Sequence, residues 1–397
     1  MSALSFPGRR LAAFYFVFFA GVGAFMPYWS LYLESLGLEA ATIGWVMASM
    51  MATRIVAPNL WGWVADRRAR RMAVIRFGAC VALLCFSAVP GTTGAVALTL
   101  LLVLYSVFWS AVLPQFEAVT LVHLGACSAR YSRIRLWGSV GFVLASAIVG
   151  WVLDRTGALT LPWIVLIFIG AVVAMSFMVG EPPPRSAATA ASSEEADAVP
   201  IRAMICLLVA CAAMQASHGP YYVFFSIHLV GLGYSGSEIG ALWALGVIAE
   251  VALFAVMPSI LARGSPAPMF TACFALTALR WLALALLPAS LPVLIVVQVL
   301  HAVSFGAHHA LAIALLHRLF GRALQGRGQA LYSSLSFGAG GALGSAAAGW
   351  LWAGVGADGA WLAAAAMAAV GGFVALGVAG FGQLPPRTSG LAETDAG

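Results

Sequence analysis

Gly62-Trp63-Val64-Ala65-Asp66-Arg67-Arg68-Ala69-Arg70-Arg71 sets four arginines and an aspartate within ten residues. Apolar runs flank it, about 41–64 and 72–90, each long enough to cross a bilayer core of about 30 Å, which takes about 20 residues of helix. A dense basic cluster between two such runs marks the end of one membrane span and the start of the next. It also fixes the side on which that loop stays.

The same alternation extends over the whole chain. Of 397 residues, 62% are hydrophobic and 9% charged, against roughly a quarter charged in soluble domains, and the mean hydropathy is +0.97. Too little polar surface remains to cover soluble domains, which excludes a soluble enzyme and makes lipid the solvent. Twelve segments have span length: about 11–33, 41–64, 72–90, 94–124, 135–153, 159–180, 202–230, 239–261, 268–287, 291–317, 328–352 and 358–382. The fold class is therefore all-α integral membrane. The first run follows Arg9 and Arg10, exceeds a signal-peptide core and lacks a small-x-small cleavage site, so it is read as a retained span. Only the arginine pair itself matches a twin-arginine signal.

All twenty basic residues are arginine, and the formal charge is +6. They punctuate apolar runs instead of forming one patch, which argues for topology signals and against nucleic acid as a partner. With the N-terminus inside, sixteen fall on the cytoplasmic side: 9, 10, 67, 68, 70, 71, 130, 133, 135, 185, 202, 263, 318, 322, 327 and 387. Only Arg155 falls outside, so both termini are expected in the cytoplasm. Arg54, Arg76 and Arg280 lie within runs, Arg76 close enough to an end to snorkel. Cys80, Cys85, Cys127, Cys206, Cys211 and Cys273 show no pairing or metal-ligand spacing and read as small buried hydrophobes.

Glu181 to Pro200 carries three consecutive prolines, a Ser/Ala/Thr stretch and the acids Glu194, Glu195 and Asp197. It is the one linker-like segment. It divides the chain into a six-span bundle over 1–180, a cytoplasmic linker over 181–200, a second six-span bundle over 201–384 and a cytoplasmic tail over 385–397. A shift of 196 residues lays Ser30-Leu31-Tyr32-Leu33-Glu34-Ser35-Leu36-Gly37 on Ser226-Ile227-His228-Leu229-Val230-Gly231-Leu232-Gly233, and Ile43-Gly44 on Ile239-Gly240. Without a gap the shift also lays Arg54 on Glu250. Two halves of one unit thus carry opposite charges at matching depth, and the midplane between such repeats is where a transport site is expected.

An ionisable group near the bilayer centre costs at least about 2.5 to 3.5 kcal/mol and usually faces a bundle interior or watery cavity. Arg54, Glu250 and Arg280 are the deep ones. A buried carboxyl group favours its neutral form and an approaching guanidinium the ionised one, so Glu250 is a candidate proton carrier; a static pair with Arg54 or Arg280 is the alternative. Glu117 shares a helical face with Ser106 and Ser110. It is the second candidate carrier, or a gate brace neutralised by Arg133 or Arg135. Arg280 and Arg54 suit an anionic substrate, since a guanidinium stays charged and offers a fork matched to a carboxylate.

Gln298, His301, Phe305, His308 and His309 fall within about a 100° sector of the tenth run. The imidazoles there can relay protons or bond a ligand, or serve as structural groups. No acid or cysteine is spaced to complete a metal site with the adjacent His308 and His309. Gln215, His218 and Tyr222 share a face of the seventh run, with Tyr221 and Phe225 close by, and Trp243 shares a face with Glu250. In the first run Tyr15, Trp29 and Tyr32 read as lining aromatics, with an interfacial place the alternative for Trp29 and Tyr32. Small residues in the fifth run (Gly138, Gly141, Ser146, Gly150) and the eleventh (Gly338, Gly340, Gly341, Gly344, Ser345, Gly349) permit close helix packing.

The loop at Gly62, Asp66, Arg67, Arg70 and Arg71 resembles the G-x-x-x-D-R-x-x-R-R signature of the major facilitator superfamily. The counterpart after the eighth run, Met257 to Pro268, keeps only Arg263. That resemblance implies two pseudo-symmetric six-helix bundles around a central cavity, a monomer, and no cofactor beyond a proton gradient. A narrower likeness, carried by Phe25 to Trp29, Arg133 to Val140, Leu242 to Glu250, Arg280-Trp281 and Gln298 to His301, is to the bacterial 3-phenylpropionic acid transporter group. That group is related to lactose permease. By this resemblance Glu117, Glu250 and Arg280 occupy functional-charge positions, whereas an acidic partner in the tenth run is missing near Ala312. The expectation is an inner-membrane proton symporter for a small organic acid, with Arg280 on the carboxylate, Glu250 or Glu117 carrying the proton and His301 and His308 relaying it. The other readings are a permease or exporter of sugars, nucleosides or drugs, and a polytopic membrane enzyme.

Overall fold

A computed structural model of the chain describes residues 6–182 and 200–379. The side chain of Arg322, Arg185, Arg387, the linker acids and the expected tail lie outside the described residues. The described backbone is helical, as lipid demands of a chain whose amide groups must be satisfied within each segment. Eleven stretches are long and apolar enough to cross a membrane: α1 Gly8–Ser35, α2 Ala40–Arg68, α3 Arg71–Gly91, α4 Ala95–Leu124, α5 Tyr131–Thr156, α6 Ala158–Met178, α7 Ile201–Gly231, α8 Gly236–Arg263, α9 Pro266–Leu286, α10 Leu291–Phe320 and α11 Leu324–Val378.

The expected eleventh and twelfth spans are joined in α11, because helical bonding resumes directly after a single glycine. Gly356 has φ 74° and ψ −174°, a conformation that only glycine adopts without strain. The 55 residues of α11 would measure about 80 Å as one rod, far beyond the bilayer core. Its two legs run in opposite directions along α7: Gly340 and Gly344 approach Ala212 and Ala216, then Gly371 and Gly377 approach Ala213 and Cys206. The internal repeat has a backbone counterpart. Gly37 (φ 79°) and Gly233 (φ 89°), 196 residues apart, both end helices in the left-handed region, as Gly157 (φ 80°) and Gly356 do near the same offset.

Several spans are discontinuous near mid-depth. A turn at 26–28 interrupts α1 at Pro27, and α2 passes through a tight turn at Thr53–Ile55 before resuming ahead of Pro58. A break at Ser110 precedes Pro114 in α4, and one at His218 precedes Pro220 in α7. Proline lacks the amide hydrogen that would bond the carbonyl four residues back, so each disturbs the ladder where it stands. Two π-helical segments, Ala302–Ala307 in α10 and Ser333–Gly340 in α11, add further irregularity.

The N-terminal half (α1–α6) meets the C-terminal half (α7–α11) along two helix pairs. α2 lies on α11, with Gly44 against Gly349 at one end and Ile55 against Gly338 farther along. There Ser334 Oγ donates to Ile55 O at 2.9 Å and Asn59 Nδ2 donates to Ser334 Oγ at 3.0 Å. α5 lies on α8, with Gly150 against Gly236 and Ser146 against Gly240.

Large apolar side chains such as Leu84, Val96, Ile167, Trp350 and Phe373 are exposed on the outer face, as lipid-facing residues are. Two sequence expectations need correction. Trp29 and Tyr32 are 0% and 2% exposed and pack inside, so they are not interfacial; Trp29 stacks on Phe25 at 4.4 Å. Of the cysteines only Cys211 and Cys273 are buried, while Cys80 and Cys127 are exposed. Arg76 reaches the arginine-rich end of α6, donating to Ser176 O at 3.2 Å and to Val179 O at 2.9 Å, as its place near a helix end allows.

Candidate functional site

A cavity of about 220 Å³ lies between the halves, lined by α1, α2, α4 and α6 on one side and α7, α10 and α11 on the other. Its principal groups come from the helix irregularities. The break in α1 contributes Met26, that in α2 Thr53 and Arg54, that in α4 Ser106 and Ser110, that in α7 Gln215, Gly219 and Tyr222, and the two π segments Phe305 and Phe337. Interrupting a helix at mid-depth is the usual way a membrane protein turns side chains and backbone groups toward a solute.

Apolar and aromatic surface dominates the walls, with Phe25, Tyr105, Trp109, Phe305 and Phe337 joined by four methionines. Within it stands one guanidinium, Arg54. Its side chain is open to the cavity, and among the described residues it has neither an ion pair nor a hydrogen-bond partner. The Tyr105 and Tyr222 hydroxyls are the groups within its electrostatic reach. A cation among apolar side chains without a counter-ion attracts an anion, and a carboxylate offers it a charge-assisted contact.

Arg280, to which the sequence assigned the substrate carboxylate, sits behind the cavity wall and is fully buried. Its Nε donates to Val297 O at 2.8 Å, Nη1 to Ser304 Oγ at 2.9 Å and Nη2 to Gln298 Oε1 at 3.4 Å. Tyr221 and Trp281 cover the guanidinium, with ring centroids 4.4 and 4.3 Å away. Arg280 thus ties α9 to α10 and α7. Gln298 Nε2 also donates to Leu242 O at 2.8 Å and to the Tyr221 hydroxyl at 3.2 Å, which brings α8 into the same network. His218 stacks on Tyr222 at 5.7 Å, holds Met214 O through Nδ1 at 2.8 Å and meets Ser304 Oγ through Nε2 at 3.3 Å. Of Gln215, His218 and Tyr222, the outer two reach the cavity and the middle one joins the network behind it. Trp243 also lies outside the cavity lining; its Nε1 donates to Ser226 Oγ at 3.0 Å.

The single polar face expected along α10 is divided. An angular reading at about 100° per residue holds for a regular α-helix, and the π segment at 302–307 changes the phase. Phe305 reaches the cavity, His301 stacks between Tyr221 and Phe305, His308 stacks on Phe270 at 5.0 Å and His309 bonds the Tyr332 hydroxyl at 2.8 Å. His301 Nδ1 and His308 Nε2 are buried without a hydrogen-bond partner among the described residues.

Glu250 packs against the π segment: a Cβ added at Gly306 would stand 3.1 Å from Glu250 Cγ. It is paired with neither Arg54 nor Arg280. The cation within its electrostatic reach is Arg135, whose Nε lies 3.8 Å from Glu117 Oε1. Arg135 is therefore within electrostatic reach of both candidate proton carriers, one from each half, and lies over the Phe19 ring at 3.9 Å. The Glu117 contact is the one the sequence offered for Arg133 or Arg135, whereas the reach to Glu250 in the other half was hidden in it.

At the arginine-rich end the loop motif closes on itself. Arg71 pairs with Asp66 and reaches the buried Gln115 of α4, Ala69 takes the left-handed turn at φ 50° that separates Arg68 from Arg70, and Arg67 lies over Trp63 at 5.2 Å. Gly62 lies beside Gln115, whose Nε2 would be 3.8 Å from an added Cβ, an ordinary contact distance.

Known proteins share this architecture. The chain matches the MFS_1 like family over residues 9–363. It is 30% identical over 336 residues to a probable 3-phenylpropionic acid transporter of Escherichia coli (strain K12), an alignment covering 83% of this chain and 87% of that protein. To maltose permease of Geobacillus stearothermophilus it is 27% identical over 334 residues, covering 82% and 83%. In fold it is similar to the nucleoside transporter NupG, with a TM-score of 0.81 at 14% identity over 96% of this chain and 100% of that one. A bacterial homolog to the human lysosomal transporter Spinster gives a TM-score of 0.74 at 13% identity over 96% and 99%.

Proposed function

The chain belongs to the MFS_1 like family of membrane transporters, and on that premise we propose that it carries a small organic acid, an aromatic carboxylate such as 3-phenylpropionate, by proton symport. It is a multi-pass membrane transporter and not an enzyme. The observation that carries the proposal is the unpaired Arg54 guanidinium inside a cavity of aromatic and methionine side chains formed by both halves. A flat apolar acid matches both features, and the name of the Escherichia coli relative agrees with them.

In this reading Arg54 takes the carboxylate and Tyr222 and Gln215 complete its polar contacts, while Arg280 positions Ser304, Gln298 and the aromatic wall. Glu250 exchanges the proton, with Glu117 and Arg135 setting its charge balance across the interface and His301 and His308 as the adjacent relay groups. The bias of arginines to one end supports placing that end in the cytoplasm of a bacterial inner membrane. The two ends of the α2–α11 contact then open alternately around a fixed site.

A neutral solute is the second reading, favoured by the similarity to maltose permease and by Ser106, Ser110 and Gln215 in the lining. Uptake of labelled 3-phenylpropionate into proteoliposomes under an inward proton gradient, with maltose and uridine as competitors, separates the two. Gradient-dependent uptake insensitive to both competitors supports the acid; absent uptake of the acid with uptake of either competitor transfers the assignment to neutral solutes.

A further inference from the structure

Three glycines line the cavity: Gly21, Gly219 and Gly341. Helix packing accounts for the first two. A Cβ on Gly219 would stand 2.1 Å from Gly344 O, and one on Gly21 3.2 Å from Phe168 Cβ, tighter than ordinary contact. Gly341 differs from both and from its neighbours in sequence. Gly340 and Gly344 pack on α7, with a Cβ at 340 lying 2.5 Å from Ala212 O and one at 344 lying 2.4 Å from Ala216 O. The atoms nearest to a Cβ on Gly341 would instead be Cβ, Cγ and Sδ of Met51 in α2, all at 3.7 Å, an ordinary van der Waals distance. The backbone there is right-handed helical, φ −62° and ψ −42°, so its conformation does not call for glycine. Inside a helix alanine is the better residue, since glycine has more backbone freedom to lose. Neither strain nor packing accounts for glycine at 341. What it provides is space.

That space is a notch in one wall. On the cavity side of α11, Phe337, Gly341 and Ser345 follow one another at steps of four residues, so an aromatic ring is succeeded by a residue with no side chain and then by a short one. Met51 stands opposite Gly341, and Met47 and Met50 line the same wall. An unbranched thioether fits itself to whatever shape lies against it. Arg54 is three residues beyond Met51 on α2, about one helical turn. An acid whose carboxylate pairs with Arg54 therefore has room for its apolar part beside Met51, in the notch.

We propose that Gly341 determines the size of the apolar group the transporter accepts: with Met51 it forms the slot for the ring of an arylalkanoate, and a single methyl group at position 341 obstructs that slot. The inference rests on the organic-acid reading given under Proposed function and names the residue that sets its selectivity. One methylene more or less in an apolar pocket changes affinity by about tenfold to two-hundredfold, which sets the scale of the effect. Because alanine suits the backbone and meets Met51 at an ordinary distance, the change in selectivity comes without a loss of stability.

Titration of the purified full chain with 3-phenylpropionate and with propionate, which keeps the carboxylate and lacks the ring, tests it. Gly341→Ala should weaken 3-phenylpropionate about tenfold or more and change propionate less than twofold, with a thermal midpoint at or above that of wild type. Met51→Ala in the Gly341→Ala background removes the thioether opposite the new methyl group and should recover most of the lost affinity, which damage to helix packing would not allow. An unchanged affinity for 3-phenylpropionate in Gly341→Ala, or an equal loss for both acids, overturns the proposal and leaves the organic-acid reading standing. A midpoint well below wild type with no recovery in the double variant also overturns it, by assigning Gly341 to packing. A wild type that binds neither acid overturns the organic-acid reading itself and this inference with it.

Discussion

Gly44 of α2 and Gly349 of α11 touch backbone to backbone: a Cβ on Gly44 would stand 2.6 Å from the Gly349 Cα, and one on Gly349 2.7 Å from the Gly44 Cα. Neither neighbour is the yielding end of a flexible side chain, so any larger residue must push the helices apart. Gly44→Val is expected to leave the protein folded, with a thermal midpoint within a few degrees of wild type, and to cut uptake to about a tenth or less by blocking closure at that end. Wild-type uptake in this variant would show that the contact is not part of the cycle.

Glu250→Gln keeps the size of the side chain against Gly306 and removes its proton. Accumulation of substrate against its gradient should be lost, while exchange between labelled external and unlabelled internal substrate at equal pH continues at about the wild-type rate. Proteoliposomes loaded with substrate measure both quantities. Loss of exchange together with accumulation would place Glu250 in substrate binding, and full accumulation would move the coupling to Glu117.

The fold was largely legible in the sequence because its signals are long: runs of span length, an arginine bias over sixteen positions and a repeat marked at Gly37 and Gly233. The site was legible only in part. Arg54 and Glu250 stood out because a charge inside an apolar run is visible without coordinates. Their environments did not, since the interruption at Thr53–Ile55 and the π segment at 302–307 reorient neighbours in ways that a fixed helical angle misses. Arg280 shows the same limit: its depth was readable, whereas the Val297 carbonyl, Ser304 and Gln298 that engage it come from another helix. Arg135 was legible in part: Glu117 was among the partners the sequence offered for it, whereas Glu250, on a span of the other half, was not.

Arg280→Lys tests the network behind the wall. An ammonium cannot reproduce the planar fork that reaches Val297, Ser304 and Gln298 while lying against Tyr221 and Trp281. The variant should melt about 5 °C lower than wild type and transport with a lower maximal rate, its apparent affinity for substrate changing less than twofold. A large loss of affinity at unchanged stability would instead put Arg280 in direct contact with the carboxylate.

The most direct test of the anion site is equilibrium binding of 3-phenylpropionate and of its neutral amide to purified wild type and Arg54→Gln. Loss of the guanidinium should weaken carboxylate binding about tenfold to a hundredfold, the range of a charge-assisted contact, and leave any binding of the amide unchanged. Equal affinity of both proteins for the carboxylate would contradict the assignment of Arg54 and, with it, the reading of this cavity as an organic-acid site.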